Sequence, residues 1–263
     1  NASDLLQSIR QKGPLVWNFS NFVSMDIAAN ALLAIGASPA MAHAKEEAGD
    51  FSQICKAING ALTINIGTFD PYWQECAREA ASKANETGIP WVLDPVGAGA
   101  SAFRNQNVEE LMKFKPTVLR GNGSEIMAVS GISGGGKGVD STSSSNEALD
   151  AAKAIAIKNN IIVAITGEID YVTDGKTTYS ISGGHEMMTK VTATGCALSC
   201  LIGAAIAIGE DKLLSTACII GIYGLAGEAA SKIANGPGSL RMHLLDNLAN
   251  ITSEDVLKNI QVN

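Results

Sequence analysis

The sequence predicts an α/β fold: a mostly parallel central sheet flanked by helices, with a C-terminal third that is nearly all helix. Three observations carry this expectation. Short β-branched runs alternate with segments of helical period, which is the arrangement of βαβ units. The run Ile161-Ile162-Val163-Ala164-Ile165 contains no polar residue, as a strand covered on both faces requires. The chain also holds 37 Ala and 27 Gly in 263 residues, a composition suited to elements packed backbone close to backbone. No long linker and no internal repeat interrupts the pattern, so residues 1–263 are expected to form a single domain.

Taken in order, Leu15-Val16-Trp17 opens as a short strand, and Val23 to Ile35 has helical spacing that stops at Gly36. A helix is expected over Glu46 to Asn59 and a strand over Ala61 to Ile66, ending at Gly67. Pro71 to Thr87 reads as a helix with Asp70 as its N-cap, Pro71 in the first turn and Gly88 past the end. Strands follow at Trp91-Val92-Leu93 and Thr117-Val118-Leu119, with helices at Asn107 to Phe114 and Ser124 to Val129. Gly131 to Ser145 is rich in Gly and Ser and is expected to be a loop, before a helix over Asn146 to Lys158. After the apolar strand 161–165, Asp174-Gly175 between Tyr171-Val172-Thr173 and Thr177 to Ile181 signals a hairpin. The remaining helices are expected to cover one face of the same sheet.

Composition excludes several functions. Hydrophobic residues make up 46% and charged residues 17%, too apolar for a disordered chain. Five Cys without regular spacing do not make a disulfide scaffold and read as reduced thiols of an intracellular protein. The expected compartment is cytoplasmic, or an organelle with a targeting segment removed. The chain opens on Asn1 rather than Met, without a signal-peptide or transit pattern. A net charge of −7 and the lack of any Lys/Arg run argue against nucleic acid as a partner. Val191 to Gly209 is free of charge for 19 residues, close to the length of a membrane span. Its apolar part, Cys196 to Ile208, is too short for a span and suits a buried helix, so no membrane partner is expected.

In open parallel sheets, ligands sit beyond the carboxyl ends of the strands. Four successive strand ends here are polar or Gly-rich: Asn65-Ile66-Gly67-Thr68, Asp94-Pro95-Val96-Gly97-Ala98-Gly99, Arg120-Gly121-Asn122-Gly123-Ser124-Glu125 and Thr166-Gly167-Glu168. Turns use such residues anyway, but four in a row point to a ligand site. Val191-Thr192-Ala193-Thr194-Gly195-Cys196 then opens the charge-free helix. Free N–H groups at such a helix start make an anion site, able to hold the charge of a transferred phosphoryl group. The alternative is a Thr N-cap on a core helix. Cys196 falls in the first turn, where the helix dipole lowers a thiol pKa and a thiolate could accept a hydroxyl proton. The alternative is a small buried residue, the reading preferred for Cys55, Cys76, Cys200 and Cys218. Asp94 and Glu125 are acids on neighbouring strand ends, as magnesium with its retained waters would need, although Asp94-Pro95 could equally start a turn. Arg120 is placed to hold phosphate oxygens.

Gly131-Ile132-Ser133-Gly134-Gly135-Gly136-Lys137 imitates a Walker A loop, but Gly138 stands where Ser or Thr is required and no strand precedes it. His43, His185 and His243 lack metal-ligand spacing, and no Gly-x-Ser-x-Gly elbow is present.

Together these strings resemble the hydroxyethylthiazole kinase family of the ribokinase-like superfamily, over about residues 5 to 250. The residues that carry the resemblance are Asn21-Phe22-Val23, Asp26 to Met41, Glu46-Glu47, Asn65 to Thr68, Asp94 to Ala100 and Arg120 to Ile126. Lys137 to Ser141, Thr166 to Asp170 and Thr194-Gly195-Cys196 complete the set. The resemblance implies a single ribokinase-like domain that transfers the ATP γ-phosphate to the hydroxyl of 4-methyl-5-(2-hydroxyethyl)thiazole in thiamine salvage. It also implies Mg²⁺, and a homotrimer with the thiazole at subunit interfaces. By position, Met41 and Asn21 would meet the thiazole, with Gly67 beside it and Ala193 at the substrate end of the anion loop. Arg120 and Thr166 would contact ATP, and Asp94 and Glu125 would organise magnesium through water. Thr194, Gly195 and Cys196 would face the transferred group. Three positions depart from the resemblance: Cys196 where the superfamily commonly has Asp, Ala193 where the family has Gly, and Trp17 for a smaller residue. Two alternatives stand beside it: a catalytically silent nucleotide or thiazole sensor, motivated by Ala193 and Trp17, and another small-molecule kinase of the superfamily, which Cys196 in place of Asp disfavours.

Overall fold

A computed structural model describes residues 1–131, 141–260 and 262, with the backbone alone for 141–145. The core of the Walker-like string and most of Lys137 to Ser141 lie outside the described residues.

One eight-stranded sheet runs β2-β1-β3-β4-β5-β6-β7-β8. Its strands are β1 Leu15–Phe19, β2 Ser38–Ala40, β3 Ala61–Asn65, β4 Trp91–Asp94, β5 Val118–Asn122, β6 Ile162–Thr166, β7 Ile169–Thr173 and β8 Thr178–Ser182. Pairing is parallel from β2 through β6, and antiparallel for β6–β7 and β7–β8. The mixed, mostly parallel sheet is therefore the expected one. Alternate residues serve opposite faces: Val16, Ala61, Val92 and Val118 join one core, while Trp17, Leu62, Trp91, Leu93 and Leu119 join the other. That two-sided burial is why these strands carry so few polar residues.

One face is covered by α1 (Ala2–Lys12), α2 (Met25–Ile35), α8 (Thr194–Ile208), α9 (Lys212–Ser231), α10 (Pro237–Asn250) and α11 (Ser253–Asn259). The other is covered by α3 (Ala48–Ala57), α4 (Pro71–Thr87), α5 (Ala102–Met112), α6 (Gly123–Val129) and α7 (Ser141–Asn159). The C-terminal helices thus lie on one face, as their position in the chain predicts. Helix α4 has its expected bounds: Asp70 accepts from Trp73 N at 2.8 Å, and Gly88 takes a left-handed turn with φ 77°.

Other elements depart from expectation, each for a local reason. Helix α1 was not anticipated; Asn1 and Asp4 cap it reciprocally. Strand β2 was also missed, being three residues long with Pro39 at its centre, which only an edge strand tolerates. Helix α5 starts earlier than its apolar pattern, because Ser101 caps Arg104 N. The helix expected from Glu46 opens as a 3-10 turn, Lys45–Glu47, and becomes α3. The expected loop ends sooner than Ser145, since α7 already runs from Ser141.

The charge-free stretch becomes α8, whose residues Ala197 to Ile206 are all buried. Small residues let it lie directly on the sheet: a Cβ on Gly203 would stand 2.7 Å from Thr63 Cγ2 and 3.0 Å from Val16 Cγ1. Among the described residues, the helix long and apolar enough to cross a membrane is instead α9, and 67% of its apolar window is buried within the fold, as a core helix requires.

Candidate active site

Chain order reverses at β1. From this strand the chain steps outward to β2 on one side, then returns to add β3 on the other. Such a switch point opens a crevice between the carboxyl ends of neighbouring strands. The candidate residues line up across it in sheet order: Met41 after β2, Asn21 after β1, Gly67 after β3, Asp94 at the end of β4, Arg120 within β5 and Thr166 closing β6. The start of α8 brings Thr194, Gly195 and Cys196 to the same end.

A buried polar chain links them. The Nδ2 of Asn21 donates to Oδ1 of Asn65 at 2.7 Å and faces Cys196 Sγ at 3.7 Å. Asn21 is itself fixed, since its Oδ1 accepts from Val23 N and Ser24 N at 2.9 and 3.0 Å. Gly67 N donates to the same Asn65 oxygen, and a Cβ on Gly67 would stand 2.6 Å from Asn21 Nδ2. Asn65 Nδ2 passes the chain to Asp94 Oδ2 at 2.9 Å, which also accepts from Ser199 Oγ at 2.8 Å. Arg120 Nη1 lies 3.7 Å from that oxygen, and its Nη2 donates to Thr166 Oγ1. Asn65 and Ser199 escaped the sequence reading. Asn65 stood in a strand-end string, and Ser199 lies three residues after Cys196, hence on the same side of α8.

Asp94 is the electrostatic centre. Burial raises its carboxyl to about 6, against the pull of Arg120 and with the help of Glu125. Its Oδ1 is buried without a hydrogen-bond partner. An acceptor left open beside a second acid fits a hydrated divalent cation, which keeps most of its waters and needs only one or two carboxylates. Both oxygens of Glu125 are engaged, Oε1 by Gly97 N and Oε2 by Asn122 N, each at 2.9 Å. Glu125 therefore ties the β4 and β5 loops together and keeps lone pairs only for a water. No cluster of three or more His, Cys, Asp or Glu suited to a metal occurs among the described residues. Arg104, also missed, secures the same rim by donating to the carbonyls of Ile66, Val96 and Gly67 at 3.1, 2.7 and 2.7 Å.

The first turn of α8 is uncapped. Ala193 holds the N-cap position at φ 64° and offers no side-chain hydrogen bond. Thr194 is the first helical residue, and its hydroxyl turns back toward the carbonyls of Val191 and Met188 at 3.3 and 3.4 Å, so the Thr N-cap alternative does not hold. The opening N–H groups lack helical partners, and the turn packs against Arg120, whose Nη1 would stand 2.6 Å from a Cβ on Gly195. Cys196 differs from expectation: burial and the neighbouring Asp94 push its thiol up, outweighing Asn65, Arg120 and Asn21. The thiol is therefore held protonated at neutral pH.

Met41 is half-buried on the loop leaving β2 and is not part of the polar chain. That loop is held at the β1 end by His43 Nε2, which accepts from Ser20 N at 3.1 Å. Trp17 points into the opposite core, buried, with its indole donating to Ala42 O at 3.0 Å.

A mostly parallel sheet with a buried acid, an arginine and an uncapped helix start along the carboxyl ends of its strands defines a phosphotransferase of the ribokinase-like class. The pyridoxal kinase from Staphylococcus aureus in complex with AMP-PCP shares this fold, with a TM-score of 0.61 at 16% identity over 82% of this chain and 88% of that one. The profile of the hydroxyethylthiazole kinase family matches residues 6–254, and the chain belongs to that family. Hydroxyethylthiazole kinase from Rhizobium etli is 48% identical over 95% of this chain and 96% of its own. The Zea mays enzyme of the same name is 46% identical over 99% and 92%. The hydroxyethylthiazole kinase structure from Pyrococcus horikoshii superposes with a TM-score of 0.91 at 40% identity, covering 100% and 98% of the two chains.

Proposed function

We propose that this enzyme transfers the γ-phosphoryl group of ATP to the primary hydroxyl of 4-methyl-5-(2-hydroxyethyl)thiazole. The observation that carries this reading is the uncapped start of α8, aimed between Arg120 and the Asn21–Gly67 corner. The substrate oxygen attacks the γ-phosphorus, the bond to the bridging oxygen of ADP breaks, and the hydroxyl proton passes to Cys196 in its thiolate form, the minor form at neutral pH. The N–H groups of Gly195 and Cys196, with Thr194 opening the turn, receive charge that spreads over the transferred oxygens. Arg120 and Thr166 hold the ATP phosphates. Asp94 and Glu125 would hold Mg²⁺ through water, and the ion would neutralise phosphate charge. Asn21, Gly67, Met41 and Ala193 form the thiazole end.

Neither Trp17 nor Ala193 favours a silent sensor. Trp17 is turned away from the site, and Ala193 keeps the left-handed backbone that the helix start needs.

Met41 stands at the sheet edge, and Phe22 (65% exposed) and Val23 (58%) flank Asn21. Phe22 leans on Trp73 at 4.7 Å between ring centroids. An apolar rim beside the substrate end supports a homotrimer whose second copy completes the thiazole site. Five free cysteines, four of them buried, support a reducing compartment, the cytoplasm or an organelle.

ATP-dependent phosphorylation of the thiazole, measured against unrelated alcohols, tests the activity; no thiazole turnover at high enzyme concentration refutes it. Glu125→Gln and Asp94→Asn should each raise the magnesium requirement, and unchanged dependence in both removes their role. Sedimentation should give a trimer, and a monomer at assay concentration rejects the shared site.

A further inference from the structure

The first turn of α8 has a tether that its own sequence does not contain. Tyr223, from the middle of α9, is buried, and its hydroxyl donates to the carbonyl of Thr194 at 3.0 Å. Thr194 precedes the two residues whose N–H groups face the transferred phosphoryl group. Arg120 and Cys196 both lie near enough to act electrostatically on the phenol, so the ring sits beneath the reacting end.

The rest of α9 supports the same turn. A Cβ on Gly224 would stand 3.2 Å from Gly184 N, and one on Gly227 would collide with Met188 Sδ. These glycines let Gly183-Gly184, and Met188 of the 3-10 turn Glu186–Lys190 that follows, approach α9 closely. The carbonyls of Met188 and Val191 then receive the Thr194 hydroxyl. The turn is thus held through Thr194 twice, by its hydroxyl from the loop and by its carbonyl from Tyr223.

This arrangement answers a physical need. Ala193 occupies left-handed backbone at φ 64° without a side-chain cap, a conformation that strains any residue with a Cβ. Within the turn the Ala193 carbonyl accepts from Ala197 N at 2.9 Å, which leaves the opening N–H groups of Gly195 and Cys196 without a helical partner to fix their aim. Resting on the phosphoryl-site reading above, we propose that Tyr223 is a positioning residue: its hydroxyl, through the Thr194 carbonyl, fixes the aim of the Gly195 and Cys196 N–H groups.

The test compares Tyr223→Phe and Tyr223→Leu with the parent enzyme, reading kcat, the KM for thiazole and the melting temperature. Binding of ADP with and without aluminium fluoride, a mimic of the transferred group, is read alongside. In Tyr223→Phe, kcat should fall about tenfold while the KM for thiazole stays within about twofold. The preference for ADP–aluminium fluoride over ADP should shrink by a similar factor. Tyr223→Leu should lose the same factor in kcat and much more in melting temperature, because packing is lost as well. If the parent prefers the fluoride complex and Tyr223→Phe keeps that preference and its kcat in full, the positioning role is overturned. If Tyr223→Leu loses kcat only in proportion to its instability, and Tyr223→Phe loses none, the tyrosine is structural. A parent that binds both nucleotide forms equally overturns the phosphoryl-site reading itself, and this role with it.

Discussion

Gly195 and Arg120 are packed so closely that a Cβ on the glycine would stand 2.6 Å from Nη1 and 2.9 Å from Nη2. The contact joins two elements far apart in the chain, the start of α8 and the end of β5. It also sets how far the guanidinium, which is only 8% exposed, reaches into the crevice. Arg120 has little freedom to retreat, because Thr166 accepts from one arm and Asp94 faces the other.

Gly195→Ala should therefore force the helix start and the guanidinium apart at a cost that a free side-chain swing would not carry. Overpacking of this kind costs about 1–3 kcal/mol, which corresponds to roughly five- to 150-fold in kcat/KM for ATP. Steady-state kinetics with ATP varied at saturating thiazole measure this directly. Unaltered ATP kinetics would mean that Arg120 is not confined by the helix start.

Asp94 makes a pH prediction whose sign follows from its burial. Its carboxyl is raised from 3.8 to about 6, so between those values the folded chain keeps a proton that the unfolded chain has released. Stability due to this group falls as pH rises from about 4 to about 6 and stays lowered above. An Asn in its place can still accept from Asn65 and Ser199 through one oxygen. The stability of Asp94→Asn relative to the parent should be greater at pH 8 than at pH 4 by up to about 3 kcal/mol. Denaturant unfolding at the two pH values reads the difference; a pH-independent difference disproves the shift. Parent turnover should fall as pH drops through about 6, as the acid gains its proton.

Much of this site was visible in the residues because strand ends announce themselves. Asp94, Arg120 and Thr166 each close an apolar run, and the sheet order then brings them side by side. What stayed hidden were contacts made at a distance. Ser199 is an ordinary small polar residue inside α8 until its hydroxyl meets Asp94 from a position 105 residues away in the chain. Arg104 sat ahead of the helix expected from Asn107, and nothing in its neighbours signalled three carbonyls on two other loops. The dipole argument for Cys196 failed for a similar reason: it considered one helix, whereas burial of the thiol, and after it the Asp94 carboxylate of another element, outweighed it.

Ala193 gives a prediction on stability. It stands at φ 64° in open left-handed backbone, where glycine is free of the Cβ penalty. Ala193→Gly should stabilise the chain by about 1 kcal/mol, or roughly 2–4 °C in melting temperature for a chain of this size. Calorimetry measures it. A lower melting temperature would show that the alanine methyl contributes packing greater than its strain.

The last prediction concerns the proton. Burial and Asp94 hold the Cys196 thiol above its ordinary range, so at neutral pH only a small fraction is thiolate. If that fraction is the base, kcat should climb with pH past neutrality in the parent. A carboxylate at the same position is already ionised there, so Cys196→Asp should keep or raise kcat at neutral pH and flatten the alkaline limb. Cys196→Ser distinguishes basicity from space: a hydroxyl fills the position but ionises far less readily. Full rate in the serine variant would show that no thiolate is needed. It would leave the turn of Thr194, Gly195 and Cys196 with only its N–H groups as the contribution to transfer, because a loose phosphoryl transition state asks little of a base.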